Sequence, residues 1–336
     1  MDADVVVVGA GVVGLACAVE LSRARQVAVV ERHGGLGDET SSHNSGVVHA
    51  AIYYPTGSLK HETCIEGNRL LYEWCASHGV RINGCGKLII AVSEDELESL
   101  EDVARQAEAN GVPGITRIDD AGRLREMEPA VRCVAALHSG TTGVVDQSAL
   151  MASFATEAQS RGAWIALKHD VVAIERATAG FELTMAGPGG ERTQVTCETL
   201  VNCAGLGAPA VASMLGYPLD GADGVPVLRQ TVNKGRYYDI VTPEKARAIR
   251  RLIYPVPEHT KGGLGVHVTI DIDGGVHLGP DTEWLDDGAP LDYRADDVRR
   301  ADFLLWHDRG YVHLGGIESP GLTASLSLAR RMAALL

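Results

Sequence analysis

The sequence lacks any excess of positive charge. Its 336 residues carry 44 acidic and 30 basic side chains, a formal net charge of −14, and no block of lysines or arginines is visible. A surface for nucleic acid or for anionic lipid needs clustered cations, so both functions are disfavoured. An anionic substrate would therefore have to be held by a few local cations.

Ordered cysteine patterns and long hydrophobic runs are also missing. The seven cysteines show no Cys-x-x-Cys spacing, which predicts neither a metal site nor a disulfide framework. The uncharged run Val5–Val19 is shorter than the ~20 residues of a membrane span, and the start Met1-Asp2-Ala3-Asp4 is acidic where a signal peptide would be basic. We expect no transmembrane segment and a cytoplasmic protein, with peripheral membrane contact left open.

The N-terminus contains a complete βαβ pattern. Val5–Val8 predicts a strand buried on both faces, Leu15–Ala24 a helix, and Val27–Val30 a second strand that ends in Glu31. The turn between strand and helix holds the triplet Gly9, Gly11 and Gly14, the spacing that lets a backbone approach a pyrophosphate. Glu31 stands where a carboxylate accepts both hydroxyls of an adenosine ribose, so a dinucleotide site is predicted.

The rest of the chain alternates between helical and strand patterns. The length and the 39 glycines suit about two well-packed α/β domains. Helices are predicted from Ser58 to about Ser77, from a Ser93/Glu96 capping box to Gly111, from Asp146 to near Gly162, and over Leu322–Leu336. Strands are predicted over Lys87–Val92, Thr199–Val201 and Tyr311–Leu314, and β alternation runs from Val225 to Pro280 with strands Leu264–Ile272 and Val276–Leu278 around an Asp273-Gly274 turn.

The dinucleotide is predicted to be FAD rather than NAD. After the first βαβ unit the chain does not continue into a second parallel half, but enters a loop rich in small hydrogen-bond donors at residues 40–49. A flavin ring needs such donors around its edge. The turn Gly315–Gly321 opens a terminal helix, whose positive end could stabilise a reduced flavin.

The motifs taken together resemble a known family. HNSGVVHAAIYYPTGSLK is followed by EGNRLLYEWC, GKLIIA, KGRYY, RLIYPVP, LGVHVT, HLGPD and GIESPGLTASLSLA. This series is similar to the L-2-hydroxyglutarate dehydrogenase/oxidase family, within the D-amino-acid-oxidase-like (DAO) group of FAD enzymes. The resemblance implies an α/β Rossmann-type FAD-binding domain, at 1–79, 146–216 and 303–336, interleaved with an antiparallel-sheet α+β substrate domain at 80–145 and 217–302.

The resemblance also implies a set of FAD contacts. The glycine turn, the acid after the second strand, the donor loop, one adenosine contact and two later turns would all touch the cofactor. The predicted FAD-binding residues are Gly9, Gly11, Gly14, Glu31, Arg32, Ser41, Ser42, Asn44, Ser45, Gly46, Val172, Ala204, Gly205, Gly207, Gly316, Ile317, Gly321, Leu322 and Thr323.

The implied reaction is FAD-dependent oxidation of a small anionic 2-hydroxy acid, L-2-hydroxyglutarate, to 2-oxoglutarate. Removing the hydroxyl proton while a hydride moves to flavin N5 requires a base, and His49 and His267 are the candidate catalytic residues. His43 and His277 are expected to be structural. The candidate substrate contacts are Lys60, Lys234, Arg236 and Tyr237. The alternative is an amino-acid or amine oxidase of the same superfamily, and the electron acceptor, oxygen or a quinone, stays open.

One segment departs from the family pattern. Between HLGPD and GIESPG the relatives carry a long segment with a Gly-[Ile/Val]-Arg-Pro element, whereas Asp281–Asp302 is short, acidic and without it. The join is expected near Arg299-Arg300-Ala301, and Arg309 is the nearest remaining arginine. An FAD-binding protein inactivated by this loss is therefore a further hypothesis.

Overall fold

The computed structural model of the chain describes residues 1–231, 233–257, 265–285 and 302–336. The chain folds into two compact units, each assembled from separate stretches. The first unit comprises Met1–Asn44, Gln147–Gln230 and Asp302–Leu336, and the second comprises Ser45–Asp146 and Thr231–Ala301. The expected join near residue 300, and Leu264 of an expected strand, lie outside the described residues.

The crossing points differ from the expected domain boundaries. Residues 45–79 belong to the second unit rather than to the predicted FAD-binding domain, because Val47–Val48 already pairs with Gly143–Val145 there. Residues 217–230 belong to the first unit, because Leu228 is buried in its hydrophobic core and its N–H donates to Leu219 O at 2.8 Å.

The described strands and helices follow in chain order. The strands are β1 (Ala3–Val8), β2 (Val27–Val30), β3 (Val47–Val48), β4 (Ile82–Asn83), β5 (Lys87–Ala91), β6 (Ile115–Ile118), β7 (Ala135–Ser139), β8 (Gly143–Val145), β9 (Trp164–Ala166), β10 (Asp170–Ala177), β11 (Gly180–Ala186), β12 (Arg192–Asn202), β13 (Asn233–Asp239), β14 (Leu252–Pro255), β15 (His267–Ile270), β16 (Val276–Trp284), β17 (Leu304–Asp308) and β18 (Tyr311–Gly315). The helices are α1 (Val12–Leu21), α2 (Leu59–His78), α3 (Leu97–Ala109), α4 (Ala121–Met127), α5 (Gln147–Ser160), α6 (Ala208–Met214), α7 (Pro243–Arg247) and α8 (Gly321–Ala333).

The first unit is built on an eight-stranded sheet. Its parallel strands run in the order β9, β2, β1, β12 and β18, and β10, β11 and β17 add antiparallel pairings. Val8 at the end of β1 lies level with Val30 and Asn202, and Asn202 lies level with His313. The carboxyl ends of these parallel strands therefore meet at one edge, which is where ligands bind in open α/β sheets.

The helices of the first unit explain why its central strand is uniformly apolar. Val5, Val6 and Val7 have no exposed surface, as expected for a parallel strand covered on both faces. Helix α1 packs against α5 and α8, and its residues Leu15–Ala18 are completely buried. The predicted βαβ start is thus present, but its helix lies at Val12–Leu21 rather than at the predicted Leu15–Ala24, so Gly14 is inside the helix.

The second unit contains a seven-stranded sheet in the order β13, β16, β15, β14, β5, β7, β6. Neighbouring strands pair antiparallel except β14 with β5. Helix α3 packs Leu100 and Val103 into a cluster with Ile89 and Leu137 of this sheet. A separate cluster joins Leu88 of β5 to α4. A small sheet, β3-β8-β4, completes the unit.

Several local predictions hold, while others need correction. Ser58 caps α2 by accepting from His61 N–H, and Gly79 ends that helix with φ +67°. The predicted Ser93/Glu96 capping box is absent, and a 3₁₀ turn, Glu94–Glu96, precedes α3. Glu96 Oε2 accepts instead from Val92 N–H, one residue before Ser93, at 2.6 Å. The stretch predicted as β alternation also contains the short helix α7.

Two further findings concern membranes and thiols. None of the helices in the described part of the chain is long and apolar enough to cross a membrane. All seven cysteines are free thiols, and five of them are buried.

Candidate functional site

The first glycine turn of the first unit has room for glycine alone. Gly9 adopts φ +103°, and a Cβ there would lie 2.5 Å from the carbonyl oxygen of Cys203. A Cβ on Gly14 would lie 2.0 Å from the carbonyl oxygen of Gly9. Gly11 is the N-cap of α1, with no side-chain cap and no acidic residue in the first turn. No acidic side chain of its own first turn neutralises the positive end of α1, which therefore suits an anion such as a pyrophosphate, although Val12 N–H is already bonded to Ser41 Oγ.

Glu31 is fixed beside this turn at the end of β2. Its carboxylate is buried, accepting from Ala10 N–H at 2.8 Å and from His33 N–H at 2.7 Å. Arg32, the next predicted contact, forms an ion pair with Glu39. Val172 lies half-exposed in β10, at the irregularity in the β10–β11 pairing.

The donor-rich loop folds back on α1. Ser41 Oγ accepts from Val12 N–H at 3.0 Å, while Asn44 Nδ2 donates to Ser41 O at 2.8 Å. Ser42 Oγ donates to Glu39 O at 3.2 Å. Ser45 and Gly46 belong to the second unit, where Gly46 O accepts from Val145 N–H at 2.9 Å. The structure thus brings the first part of this loop to the glycine turn.

The later turns are tied together by a buried polar network. Asn202 Nδ2 donates to the Tyr311 hydroxyl at 2.8 Å. Because the hydroxyl oxygen accepts this bond, its own proton is donated to His313 Nδ1, which lies 2.9 Å away. Burial lowers the pKa of His313 to about 4, so Nε2 carries the proton of the neutral ring, and this buried nitrogen has no partner among the described residues. A Cβ on Gly315 would lie 2.5 Å from it.

The remaining predicted FAD residues lie on the same edge. With its amide oriented to satisfy both groups, Gln230 donates to Gly205 O at 3.2 Å and accepts from Gly316 N–H at 3.1 Å. That bridge joins the turn containing Ala204, Gly205 and Gly207 to the turn before α8. Gly321 is the first residue of α8, which has no side-chain cap and no acidic residue in its first turn. Leu322 and the buried Thr323 follow it in the helix. Ile317 packs against Gly321.

These features suit FAD. A glycine cradle that a Cβ would fill, two helix N-termini without acidic residues and the buried unpartnered His313 Nε2 all lie in the first unit. Pyrophosphate needs such backbone donors, and a flavin needs positive potential at its pyrimidine edge.

In the second unit, His49 follows β3 and is held by its backbone. Asn68 of α2 donates from Nδ2 to His49 O at 2.8 Å and to Thr141 O at 3.0 Å. Burial, together with the charge of Lys87 and the neighbouring His267, holds the pKa of His49 well below its usual value. The imidazole is therefore neutral near pH 7 and able to accept a proton.

His267, the second candidate base, is buried in β15. It is 4% exposed, and its ring stacks on Tyr254 with centroids 3.8 Å apart. Nδ1 lies 3.1 Å from Gly265 O, and because a carbonyl only accepts, Nδ1 carries the proton and Nε2 keeps its lone pair. Burial, then the charge of Lys87, lowers the pKa of His267 to about 4.

Lys87 is the functional candidate that the sequence reasoning missed. It is 1% exposed, and its Nζ lies 3.8 Å from the centroid of the Tyr254 ring. Burial lowers its pKa to about 7. The signal in the sequence is weak: in GKLIIA the lysine alternates with Ile89 and Ala91 and so shares their buried face.

The other predicted substrate contacts are spread over the second unit. Lys60 is buried in the first turn of α2. Tyr237 stands edge-on to His267 with centroids 6.4 Å apart and shares a hydrogen bond with the Ser45 side chain. Arg236 is exposed and pairs with Asp281 and Glu283, each at 3.0 Å, and Lys234 is exposed as well.

The residues expected to be structural, or only weakly linked to the substrate, have local partners. His43 Nδ1 lies 2.8 Å from Glu39 O. His277 lies 2.7 Å from Asp239 and 3.1 Å from Asp271. Arg309, in the turn between β17 and β18 of the first unit, is exposed and bonds to Asp308 at 3.1 Å.

Comparison with known proteins identifies the family. The model of the DAO family, FAD-dependent oxidoreductases, matches residues 4–307. The chain belongs to this family. FAD is accordingly its cofactor, and the predicted fold class is confirmed.

The relatives include L-2-hydroxyglutarate dehydrogenases. The mitochondrial L-2-hydroxyglutarate dehydrogenase of Arabidopsis thaliana is 33% identical over 408 residues, covering 98% of this chain and 82% of the plant protein. The human enzyme of the same name is 33% identical over 308 residues, covering 88% of this chain and 65% of its own length. The predicted family resemblance is thus confirmed. The plant alignment is longer than this chain, so that relative contains residues that this chain lacks.

A solved structure supports the fold. The dithionite-reduced L-α-glycerophosphate oxidase of Mycoplasma pneumoniae with FAD bound superposes with a TM-score of 0.84 at 26% identity. The match covers 99% of this chain and 94% of that protein.

Proposed function

We propose that the protein is an FAD-dependent dehydrogenase or oxidase that converts L-2-hydroxyglutarate to 2-oxoglutarate. The observation that carries this proposal is the 33% identity to an L-2-hydroxyglutarate dehydrogenase over 98% of the chain. The amino-acid oxidases resemble this chain in fold alone. The glycine oxidase of Geobacillus kaustophilus, for example, is 20% identical in sequence.

The first unit holds the cofactor. Its glycine turns, Glu31 and the Ser41 loop would bind the dinucleotide, and the N-terminus of α8 together with His313 Nε2 would face the flavin ring. When bound, FAD supplies a hydride acceptor for C2 of the substrate.

The second unit supplies the base. Oxidation of an alcohol requires loss of its hydroxyl proton, and an imidazole accepts that proton only while it is neutral. His49 is kept neutral by burial and by Lys87, and Asn68 fixes its backbone. We assign the base to His49, with His267 Nε2 as the second candidate.

Anaerobic mixing with L-2-hydroxyglutarate tests the proposal. The purified, flavin-loaded protein should lose its visible flavin absorbance, and 2-oxoglutarate should form in equal amount. Bleaching by amino acids but not by L-2-hydroxyglutarate would replace the proposal with an amino-acid or amine oxidase. A flavin that no substrate bleaches would indicate an inactive FAD-binding protein. Reoxidation by oxygen or by a soluble quinone then identifies the acceptor.

The His49→Ala variant tests the base. We expect it to retain FAD but to slow flavin reduction at least 100-fold, since general-base catalysis contributes roughly 10²- to 10⁴-fold. His78→Ala, at the exposed end of α2, is the control and should reduce normally. Unchanged reduction by His49→Ala would transfer the role to His267.

A further inference from the structure

A row of buried polar side chains crosses one face of the large sheet in the second unit. Lys87 of β5 lies level with Leu252 of β14, and Ile253 lies level with Val268 of β15, so the register aligns Leu252 with Thr269. Tyr254, two residues after Leu252, shares its face and falls beside His267. Lys87, Thr269, Tyr254 and His267 are each at most 4% exposed.

The row carries a positive charge without a counterion. Lysine is almost never buried unless it is paired. Within the described residues Lys87 Nζ has no hydrogen-bond acceptor, and the only groups that raise its pKa are the thiols of Cys64 and Cys85, with no carboxylate among them. The buried carboxylates of the described chain are Glu31, in the first unit, and Glu128, which accepts from Arg250 N–H. The ammonium lies against the faces of Tyr254 and Tyr53, whose centroids are 3.8 and 5.7 Å away.

Two hydroxyls of the same region are also unsatisfied. Tyr53 Oη and Thr269 Oγ1 are buried and have no hydrogen-bond partner among the described residues. A buried polar group without a partner is costly, and native proteins keep few of them. A cation and two hydroxyls left unpaired together match an anionic ligand that supplies the missing acceptors.

We propose that Lys87, assisted by the Tyr53 and Thr269 hydroxyls, is a binding residue for a carboxylate of the substrate and so selects dicarboxylates. The inference rests on the proposed function, because it takes the ligand to be a five-carbon hydroxy diacid. A carboxylate offers lone pairs to all three groups and a negative charge to the ammonium. The ammonium also disfavours protonation of His49 and His267. Lys87 thus binds the substrate carboxylate and keeps the catalytic base unprotonated.

The cluster also predicts how binding depends on pH. The titratable groups around the ammonium are His49, His267, Tyr53, Tyr254, Cys64 and Cys85. Burial lowers the pKa of both histidines and raises the pKa of both tyrosines and both thiols, so none of them changes charge between pH 6 and 8. Lys87, with a pKa of about 7, is charged below that pH and neutral above it. Dicarboxylate affinity should therefore fall as the pH rises through this range.

The test is calorimetric binding of glutarate, an unreactive dicarboxylate, to the flavin-loaded protein at pH 6. Lys87→Met keeps the length of the side chain and removes the charge. A charge-assisted hydrogen bond is worth roughly a 10- to 100-fold change in affinity, so glutarate Kd should rise by that factor. The pH dependence between 6 and 8 should vanish. Lys245→Met, an exposed lysine of α7 in the same unit, is the matched control and should bind like the unmodified protein.

Stability separates binding from a structural role. Because Lys87 carries an unpaired buried charge, Lys87→Met should have a Tm equal to or higher than that of the unmodified protein. Unchanged glutarate affinity in a folded Lys87→Met protein would overturn the proposal. So would loss of folding in both Lys87→Met and Lys87→Gln, because Lys87 would then belong to the fold.

The outcome is independent of the turnover experiment. If L-2-hydroxyglutarate fails to bleach the flavin while glutarate binding still depends on Lys87, the proposed function is wrong and the carboxylate site stands. If bleaching occurs in both proteins with equal substrate dependence, the function stands and the assignment of Lys87 fails.

Discussion

At the scale of single residues, the first unit depends on positions where no side chain fits. Gly9 and Gly162 both have positive φ, +103° and +93°, but they differ in their surroundings. A Cβ on Gly9 meets the backbone of Cys203 at 2.5 Å, whereas nothing lies within 4 Å of a Cβ on Gly162. The two glycines separate the cost of backbone strain from the cost of crowding.

Substitution of each glycine by alanine should therefore give unequal losses. Gly162→Ala adds only conformational strain, of order 1–3 kcal/mol. Gly9→Ala adds the same strain and must also push β1 away from β12, so its Tm should fall at least twice as far. It should also lose FAD on gel filtration, which Gly162→Ala should not. Equal Tm losses would show that the backbone of the turn can move away from Cys203, so that their close contact is not required for stability.

At the scale of elements, two helices of the second unit hold the loop that follows β3. Asn68 of α2 binds the carbonyl of His49, and Asn110 at the C-terminus of α3 donates from Nδ2 to Ala51 O at 2.7 Å and to Tyr54 O at 2.8 Å. Asn110 Oδ1 accepts from Thr56 Oγ1 at 2.6 Å. One buried amide thus replaces the backbone pairing that this irregular loop cannot make for itself.

Replacement of Asn110 should lower both the free energy of unfolding and the rate of flavin reduction. Asn110→Ala leaves Ala51 O without its Asn110 donor, while Tyr54 O keeps the bond from Gln106 Nε2 at 3.1 Å. At about 1–3 kcal/mol for an unsatisfied buried group, the free energy of unfolding should fall by about that amount. Flavin reduction should slow as well, because the loop carries His49. Asn83→Ala, exposed in β4, is the control for urea denaturation and stopped-flow reduction. A variant with lowered stability but a normal rate of flavin reduction would show that this loop does not contribute to catalysis.

The helices and strands also show how much of the fold the sequence could predict. The βαβ start, helix α2 with Ser58 and Gly79, and the Asp273-Gly274 hairpin follow from local caps, turns and periodicity, and the structure has them. The sequence gives no signal for the burial of His267 and only the weak alternation in GKLIIA for that of Lys87, because both arise where β14 brings β5 and β15 together from distant parts of the chain. The boundaries of the two units differ from the expected domain boundaries for the same reason, since β3 pairs with β8 and places Val47 in one hydrophobic cluster with Ile89 and Leu137, all distant in the sequence.

At the scale of the whole molecule, an acidic chain buries neutral histidines in both units. His267 in the second unit and His313 in the first are 4% and 0% exposed, and burial lowers the pKa of each to about 4. In the unfolded chain a histidine has a pKa of about 6.5. Between these two values the unfolded chain binds more protons, so the stability that both histidines contribute above pH 6.5 is lost as the pH falls toward 4.

Acid should therefore destabilise the protein well before its carboxylates titrate. Each of the two histidines contributes up to about 3 kcal/mol across this window, since one pKa unit corresponds to about 1.4 kcal/mol. His267→Phe keeps an aromatic ring on Tyr254 and removes the titrating group, so the fall in Tm between pH 6.5 and 4.5 should be smaller than in the unmodified protein. Exposed His78→Gln provides the control and should change nothing. Identical pH profiles for His267→Phe and the unmodified protein would mean that the pKa of His267 is the same in the folded and unfolded states, which would contradict its lowering by burial.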